Sequence, residues 1–142
     1  MIILDTDHIS FLQRPGSPEG QRLQQRLAAS PDRDIATTVV TLEEQIRGWL
    51  AVIARYRDLR QQMAYYDKLI AFVRFFSTWE ILPLRESAVQ AIRDFGQSRV
   101  RIATTDLKIA AIVVANHATL LSRNLRDFGQ VPGLRVEDWT RQ

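Results

Sequence analysis

The feature that most constrains this chain is a series of short apolar runs, each followed by a longer stretch with helical periodicity. Ile2-Ile3-Leu4 opens the series, apolar on both faces, as in a strand buried within a parallel sheet. Residues 6–13 follow as a short helix, with Ile9, Phe11 and Leu12 apolar, ended by the breaker cluster Arg14-Pro15-Gly16-Ser17-Pro18. Residues 19–29 read as a helix closed by Ser30-Pro31-Asp32, and residues 34–37 as a second short strand. From 41 to 79 the pattern is helical, with a break near Arg57-Asp58 that predicts an antiparallel pair. Within it Leu50, Ile53, Met63, Leu69, Ile70, Val73 and Phe76 recur at helical steps. Residues 81–84 form a third expected strand, 86–95 a helix stopped by Gly96, and 105–116 a very apolar helix. Residues 118–121 and 134–136 supply the fourth and fifth strands. Such alternation predicts an α/β fold with a parallel sheet covered on both faces. No repeat or linker interrupts it, so residues 1–142 are expected to form a single domain.

Composition narrows the chemistry. The chain has no cysteine and two histidines, His8 and His117, which excludes disulfides, thiolate zinc sites, cysteine nucleophiles and multi-imidazole sites. Any metal must be held by oxygen. Of 19 basic residues 17 are Arg, the exceptions being Lys68 and Lys108, and the net charge is +3. The guanidinium fork suits phosphate recognition, although an Arg-rich codon usage accounts for the same bias. The start meets an acid at Asp5 without a basic leader, and the longest apolar run, 109–115, falls far short of the roughly 20 residues of a membrane span. A soluble, cytoplasmic protein with no membrane partner is the expectation.

Three acids and a turn stand out. Asp5 directly follows the first strand, at the sheet edge where open α/β folds bind ligands, although Asp also caps helices there. Glu44 fits either a functional acid or the capping box Thr41-Leu42-Glu43-Glu44, with Glu43 as its neighbouring alternative. Asp106 lies in a first helical turn, where the helix dipole alone favours a carboxylate. Asn124 and Asp127 follow the fourth strand, in a segment that also reads as turn chemistry. The topology gathers Asp5, Asp106 and Asn124 or Asp127 on one sheet edge. Clustered carboxylates repel, and a hard divalent cation such as Mg²⁺ or Mn²⁺ relieves that repulsion. Such a cation also supports hydrolysis at a phosphoryl group.

The motifs resemble those of PIN-domain ribonucleases of the VapC toxin type. Ile2-Ile3-Leu4-Asp5-Thr6-Asp7 resembles their LDTN or LDTS opening, with Asp7 in place of the usual small polar residue. Residues 38–48, with Glu44 four positions before Gly48, resemble their T-x-x-E-L-x-x-G motif, and Glu43 stands where Ala is usual. Residues 101–111 resemble the third motif, whose acid corresponds to Asp106, and residues 119–128 the last, with Asn124 where many members carry a fourth acid. Val131-Pro132-Gly133-Leu134 through Trp139 matches the usual tail. The resemblance implies a three-layer α/β/α sandwich with a central parallel sheet. It also implies a Mg²⁺- or Mn²⁺-dependent endoribonuclease, a homodimer, and a cognate antitoxin that blocks the site. Asp5, Glu44 and Asp106 would be catalytic, Asp5 and Asp106 as metal ligands, with Ser122, Asn124 and Asp127 supporting them.

Three rival readings share parts of this pattern. Asp5-Thr6-Asp7 mimics the DxDx[T/V] motif of haloacid-dehalogenase phosphatases, but Ile9 occupies the fifth place and neither lysine is suitably placed. A receiver domain would need a second Asp after the third strand and a Lys after the fifth, and the chain offers neither. A PIN fold kept only for binding RNA or protein differs from the nuclease in activity alone.

Overall fold

The computed structural model describes residues 1–141. The first half runs β1 (Ile2–Leu4), α1 (Thr6–Leu12), α2 (Pro18–Ala29), β2 (Ile35–Thr38), α3 (Val39–Arg55) and α4 (Leu59–Phe76). The second half runs β3 (Glu80–Leu82), α5 (Glu86–Gln97), α6 (Thr104–Ala115), β4 (Thr119–Leu121), α7 (Leu125–Phe128) and β5 (Arg135–Glu137). Five parallel strands form one sheet in the order β3-β2-β1-β4-β5. β1 is central, with Ile2 opposite Ile35 on one side and Thr119 on the other. The strand order reverses between β1 and β4, so the crevice beyond their carboxyl ends is the topological switch point.

Alternation along the central strand divides the core. Ile3 joins a cluster built with Ile109 to Val113 of α6, Phe95 of α5 and Phe128 of α7. Ile2 and Leu4 point to the other face, against Ile9, Leu23, Phe72 and Phe76 of α1, α2 and α4. Helices therefore cover both faces, giving the three-layer α/β/α sandwich. Helix α6 is buried along Ile109 to Val113, which explains why its sequence is apolar on every side.

The element boundaries differ from expectation at three informative places. Helix α3 starts at Val39, capped by Thr38, whose hydroxyl accepts from the Thr41 amide at 3.0 Å. The Thr41–Glu44 capping box is therefore not formed, and Glu44 is left in the second turn without a capping duty. Helix α5 runs through Gly96 to Gln97, because an interior glycine weakens a helix by about 1 kcal/mol without ending it. Strand β3 ends at Leu82, before Pro83, whose nitrogen has no hydrogen to give a ladder.

Helix α2 approaches α1 closely at Gly20. A Cβ there would stand 2.8 Å from the Phe11 carbonyl oxygen and 2.9 Å from Ser17 Oγ. Gly20→Ala is expected to destabilise the fold by about 1–3 kcal/mol, since backbone must shift to admit the methyl. Urea unfolding checks this. An unchanged midpoint would mean that α2 can slide freely on α1.

Candidate active site

Asp5 closes β1 and caps α1, and it is 8% exposed. Its Oδ1 accepts from the Thr6 amide at 2.7 Å, and its Oδ2 accepts from the Ser122 hydroxyl at 2.8 Å. Ser122 follows β4, and its oxygen accepts in turn from the Asn124 amide at 3.1 Å. The two strand ends at the switch point are thus tied through one serine. Burial pushes the Asp5 carboxyl up to about 7, helped by the charge of Asp7 and, less, that of Asp106. The bonds from Ser122 and Thr6 oppose the rise without cancelling it.

Asp106 is part-buried in the first turn of α6. Burial raises its carboxyl too, followed by the charges of Glu44, Asp127 and Asp7. Glu44 comes from α3 and accepts from the Thr6 hydroxyl at 2.5 Å. Gln45, next to it, donates to Ser10 Oγ at 3.2 Å and accepts from Gln13 at 2.9 Å, which clamps α3 onto α1. Asn124 caps α7, and its side-chain amide donates to Asp127 Oδ2 at 3.1 Å and to Asp106 Oδ2 at 3.4 Å. Asn124 is therefore a neutral spacer that draws two repelling carboxylates towards one amide.

The structure brings Asp5, Glu44, Asp106, Ser122, Asn124 and Asp127 to the carboxyl edge of the sheet. It adds Thr6 and Asp7, which sequence reasoning did not place at the site. Asp7 was visible only as an unusual acid two positions after Asp5. Its Oδ2 accepts from the Arg123 backbone amide at 2.8 Å, and its Oδ1 accepts from His8 Nδ1 at 2.6 Å. His8 is fully buried, and its Nε2 accepts from the Trp139 amide at 3.3 Å, so Nδ1 carries the proton. That chain of bonds joins the C-terminal segment to the site.

The donor set is all oxygen and strongly acidic, which suits a hard divalent cation. Among the described residues, no three acidic or imidazole side chains already close on one point. Mg²⁺ habitually binds through one or two carboxylates and keeps several waters, so it does not require three of these acids to close on one point. Burial first and mutual repulsion second raise Asp5 and Asp106, and such an ion would relieve the repulsion.

No established family profile matches the chain. Ribonuclease VapC1 of Rickettsia felis is 34% identical over 74 residues, covering 49% of this chain and 55% of that protein. The match thus spans about half the length of the curated relative. Solved structures agree along the chain. VapBC-1 from nontypeable Haemophilus influenzae contains a chain with a TM-score of 0.74 at 22% identity, covering 99% of this chain and 100% of that one. VapBC2 from Rickettsia felis, bound to a DNA fragment from its promoter, gives 0.68 at 23% identity, with 98% and 99% covered. DNA-bound VapBC from Salmonella typhimurium gives 0.70 at 22% identity, with 97% of each chain covered. Agreement over whole chains at identities this low establishes a shared fold: the chain has the three-layer α/β/α architecture found in these VapBC structures.

Proposed function

We propose that the protein is a Mg²⁺- or Mn²⁺-dependent endoribonuclease, acting in the cytoplasm as the toxin of a toxin–antitoxin pair. The observation that carries this reading is the buried Asp5 at the switch point, faced by Asp7 and Asp106 and held by Ser122. The relative Ribonuclease VapC1 and the VapBC complexes among the structural neighbours support it.

Asp5 and Asp106 would hold the ion. When bound, it would neutralise charge on the scissile phosphodiester and lower the pKa of a water. Ser122 keeps Asp5 oriented by donating to one oxygen. Glu44, held by the Thr6 hydroxyl, would orient the attacking water and take its proton as the P–O bond to the departing ribose oxygen breaks and that oxygen is protonated from solvent. Asn124 holds Asp106 in place, and Asp127 adds negative charge behind it. The direct test is incubation of total cellular RNA with the purified protein in Mg²⁺, in Mn²⁺ and in chelator. Cleavage dependent on metal supports the reading. A folded protein inert in all three favours a PIN fold kept for binding.

Asn124 and Asp127 have separable roles in this scheme. Asp127→Asn should raise the Mg²⁺ concentration for half-maximal cleavage by roughly tenfold, as loss of an outer-shell partner commonly does. Asn124→Ala should mainly lower the rate at saturating metal, because Asp106 loses its donor. Asn124→Asp should bind metal more tightly but lower metal-free stability, since three carboxylates then meet. Cleavage against metal concentration reads all three, and an unchanged curve for Asp127→Asn would reduce that residue to a turn former.

The antitoxin and a second copy of the chain would cover the α3–α4 hairpin. Leu59, Met63, Tyr66, Ile70 and Val73 form an exposed apolar stripe along α4. Between α1, α3 and α4 lies an apolar groove of about 780 Å³, lined by Trp49, Phe72 and Phe75 and rimmed by Arg14 and Lys68. Its shape suits an amphipathic segment. Co-expression with the product of the adjacent upstream gene should give a stable complex. Purification as a lone monomer in its presence would remove this part of the proposal.

A further inference from the structure

The acids at the switch point form no ion pair with Lys or Arg among the described residues; Asp7 alone meets an imidazole, as a hydrogen bond from His8 Nδ1. A polyanionic strand entering this edge therefore meets carboxylates unless a cation stands beside them. Arg123 is that cation. It follows Ser122 directly, its backbone amide is fixed by Asp7 at 2.8 Å, and its side chain is exposed. Its guanidinium carbon lies 5.6 Å from the centroid of the Phe11 ring, on α1. The guanidinium packs over this ring and makes no hydrogen bond among the described residues, which leaves its donors free. A guanidinium that bonds to none of the described carboxylates, on a residue whose backbone amide is held by Asp7, is placed for an anion from outside.

We propose that Arg123 binds a backbone phosphate of the RNA strand beside the acidic site, with Phe11 as its platform and Asp7 as the anchor of its backbone. This rests on the nuclease reading for the identity of the anion. Asp7 has a defined part in it: an acid at this position grips the loop amide and fixes the backbone from which the arginine projects. The fork of Arg suits two phosphate oxygens at once, which a lysine cannot match.

The experiment is an anisotropy titration of a fluorescein-labelled, random-sequence 20-mer single-stranded RNA in Mg²⁺, followed on ice and repeated across a salt series. Wild type is compared with Arg123→Gln, Arg123→Lys, Phe11→Leu and Arg33→Gln. Arg33 precedes β2 at the opposite edge of the sheet and serves as the charge-matched control. Arg123→Gln should weaken binding by about tenfold or more, the loss expected for hydrogen bonds to a charged group. The slope of log Kd against log salt should fall by about 0.7, the value of one single-strand phosphate contact. Arg123→Lys should keep the slope and recover part of the affinity. Phe11→Leu should weaken binding severalfold with the slope unchanged, and Arg33→Gln should leave affinity and slope close to wild type. Equal losses for Arg123→Gln and Arg33→Gln, or a wild-type slope in Arg123→Gln, overturn the proposal. Cleavage of the same RNA at 37 °C is scored separately. Binding that depends on Arg123 without any cleavage keeps the phosphate contact and removes the nuclease reading. Cleavage with Arg123 dispensable for binding does the reverse, and no RNA binding at all removes both.

Discussion

Asp5→Asn is expected to abolish RNA cleavage and, in metal-free buffer at pH 8, to raise the melting temperature. Both effects come from one buried carboxylate. Asn keeps the shape and still accepts from the Thr6 amide, but it lacks the charge that would hold a cation. The stability effect follows from linkage. The folded protein holds the Asp5 proton up to about pH 7, against an ordinary value of 3.8, so the native state binds it more tightly than the unfolded chain does. Stability therefore falls as pH rises from about 4 through 7, and the penalty is complete above 7. A shift of this size corresponds to roughly 2–4 kcal/mol once relaxation is allowed for. For a chain of this length that is on the order of 5–15 °C in Tm. Wild type without metal should thus melt lower at pH 8 than at pH 5, whereas Asp5→Asn should show a flatter profile. On the proposed function Mg²⁺ would bind where the proton leaves, so its stabilisation of wild type should be larger at pH 8 than at pH 5. Differential scanning fluorimetry at both pH values, with and without Mg²⁺, reads the signs directly. A folded Asp5→Asn protein with full cleavage would sink the assignment of the site.

The convergence of Asp5, Asp106 and Asn124 or Asp127 was legible in the sequence because it depends only on topology. A strand apolar on both faces must be interior, the residue after it must reach the sheet edge, and the starts of following helices meet it there. The order of strands beyond that was not legible, since three- and four-residue strands carry too little pattern to choose their neighbours. Local chemistry left Glu44 open between a cap and a functional acid, and the capping box lost to a better cap three residues earlier. Thr38 won because it sits at the end of β2, where the chain must already turn into α3. Asp7 escaped sequence reasoning for a different reason. Its partners are its neighbour His8 and the Arg123 amide, 116 residues away, and His8 in turn meets Trp139, 131 residues away. A polar network closed over such separations leaves no periodicity behind. Helix α7 was equally hidden, because four residues hold barely one turn.

That short helix sets up the second large effect, because α7 cannot be stable by itself. Asn124 caps it, yet the cap cannot offset the cost of nucleating a single turn. What holds α7 is Phe128, which is fully buried and packs into the cluster formed with α5 and α6. Phe128→Ala should cost about 3–5 kcal/mol, the range for removing a buried aromatic side chain. Phe128→Leu keeps much of the volume and should cost about 1–2 kcal/mol. The consequence reaches the site through one residue, since Asp127 immediately precedes Phe128 and shares the Asn124 amide with Asp106. When α7 frays, the amide no longer holds the two acids at a common distance. Phe128→Ala should therefore need more Mg²⁺ for half-maximal cleavage, at a temperature where the variant is still fully folded. Urea unfolding gives the stability loss, and the metal curve at low temperature gives the site effect. A large loss of stability with a wild-type metal curve would show that the loop after β4 keeps its geometry through Ser122 and Asp7 alone, and that α7 is a passenger.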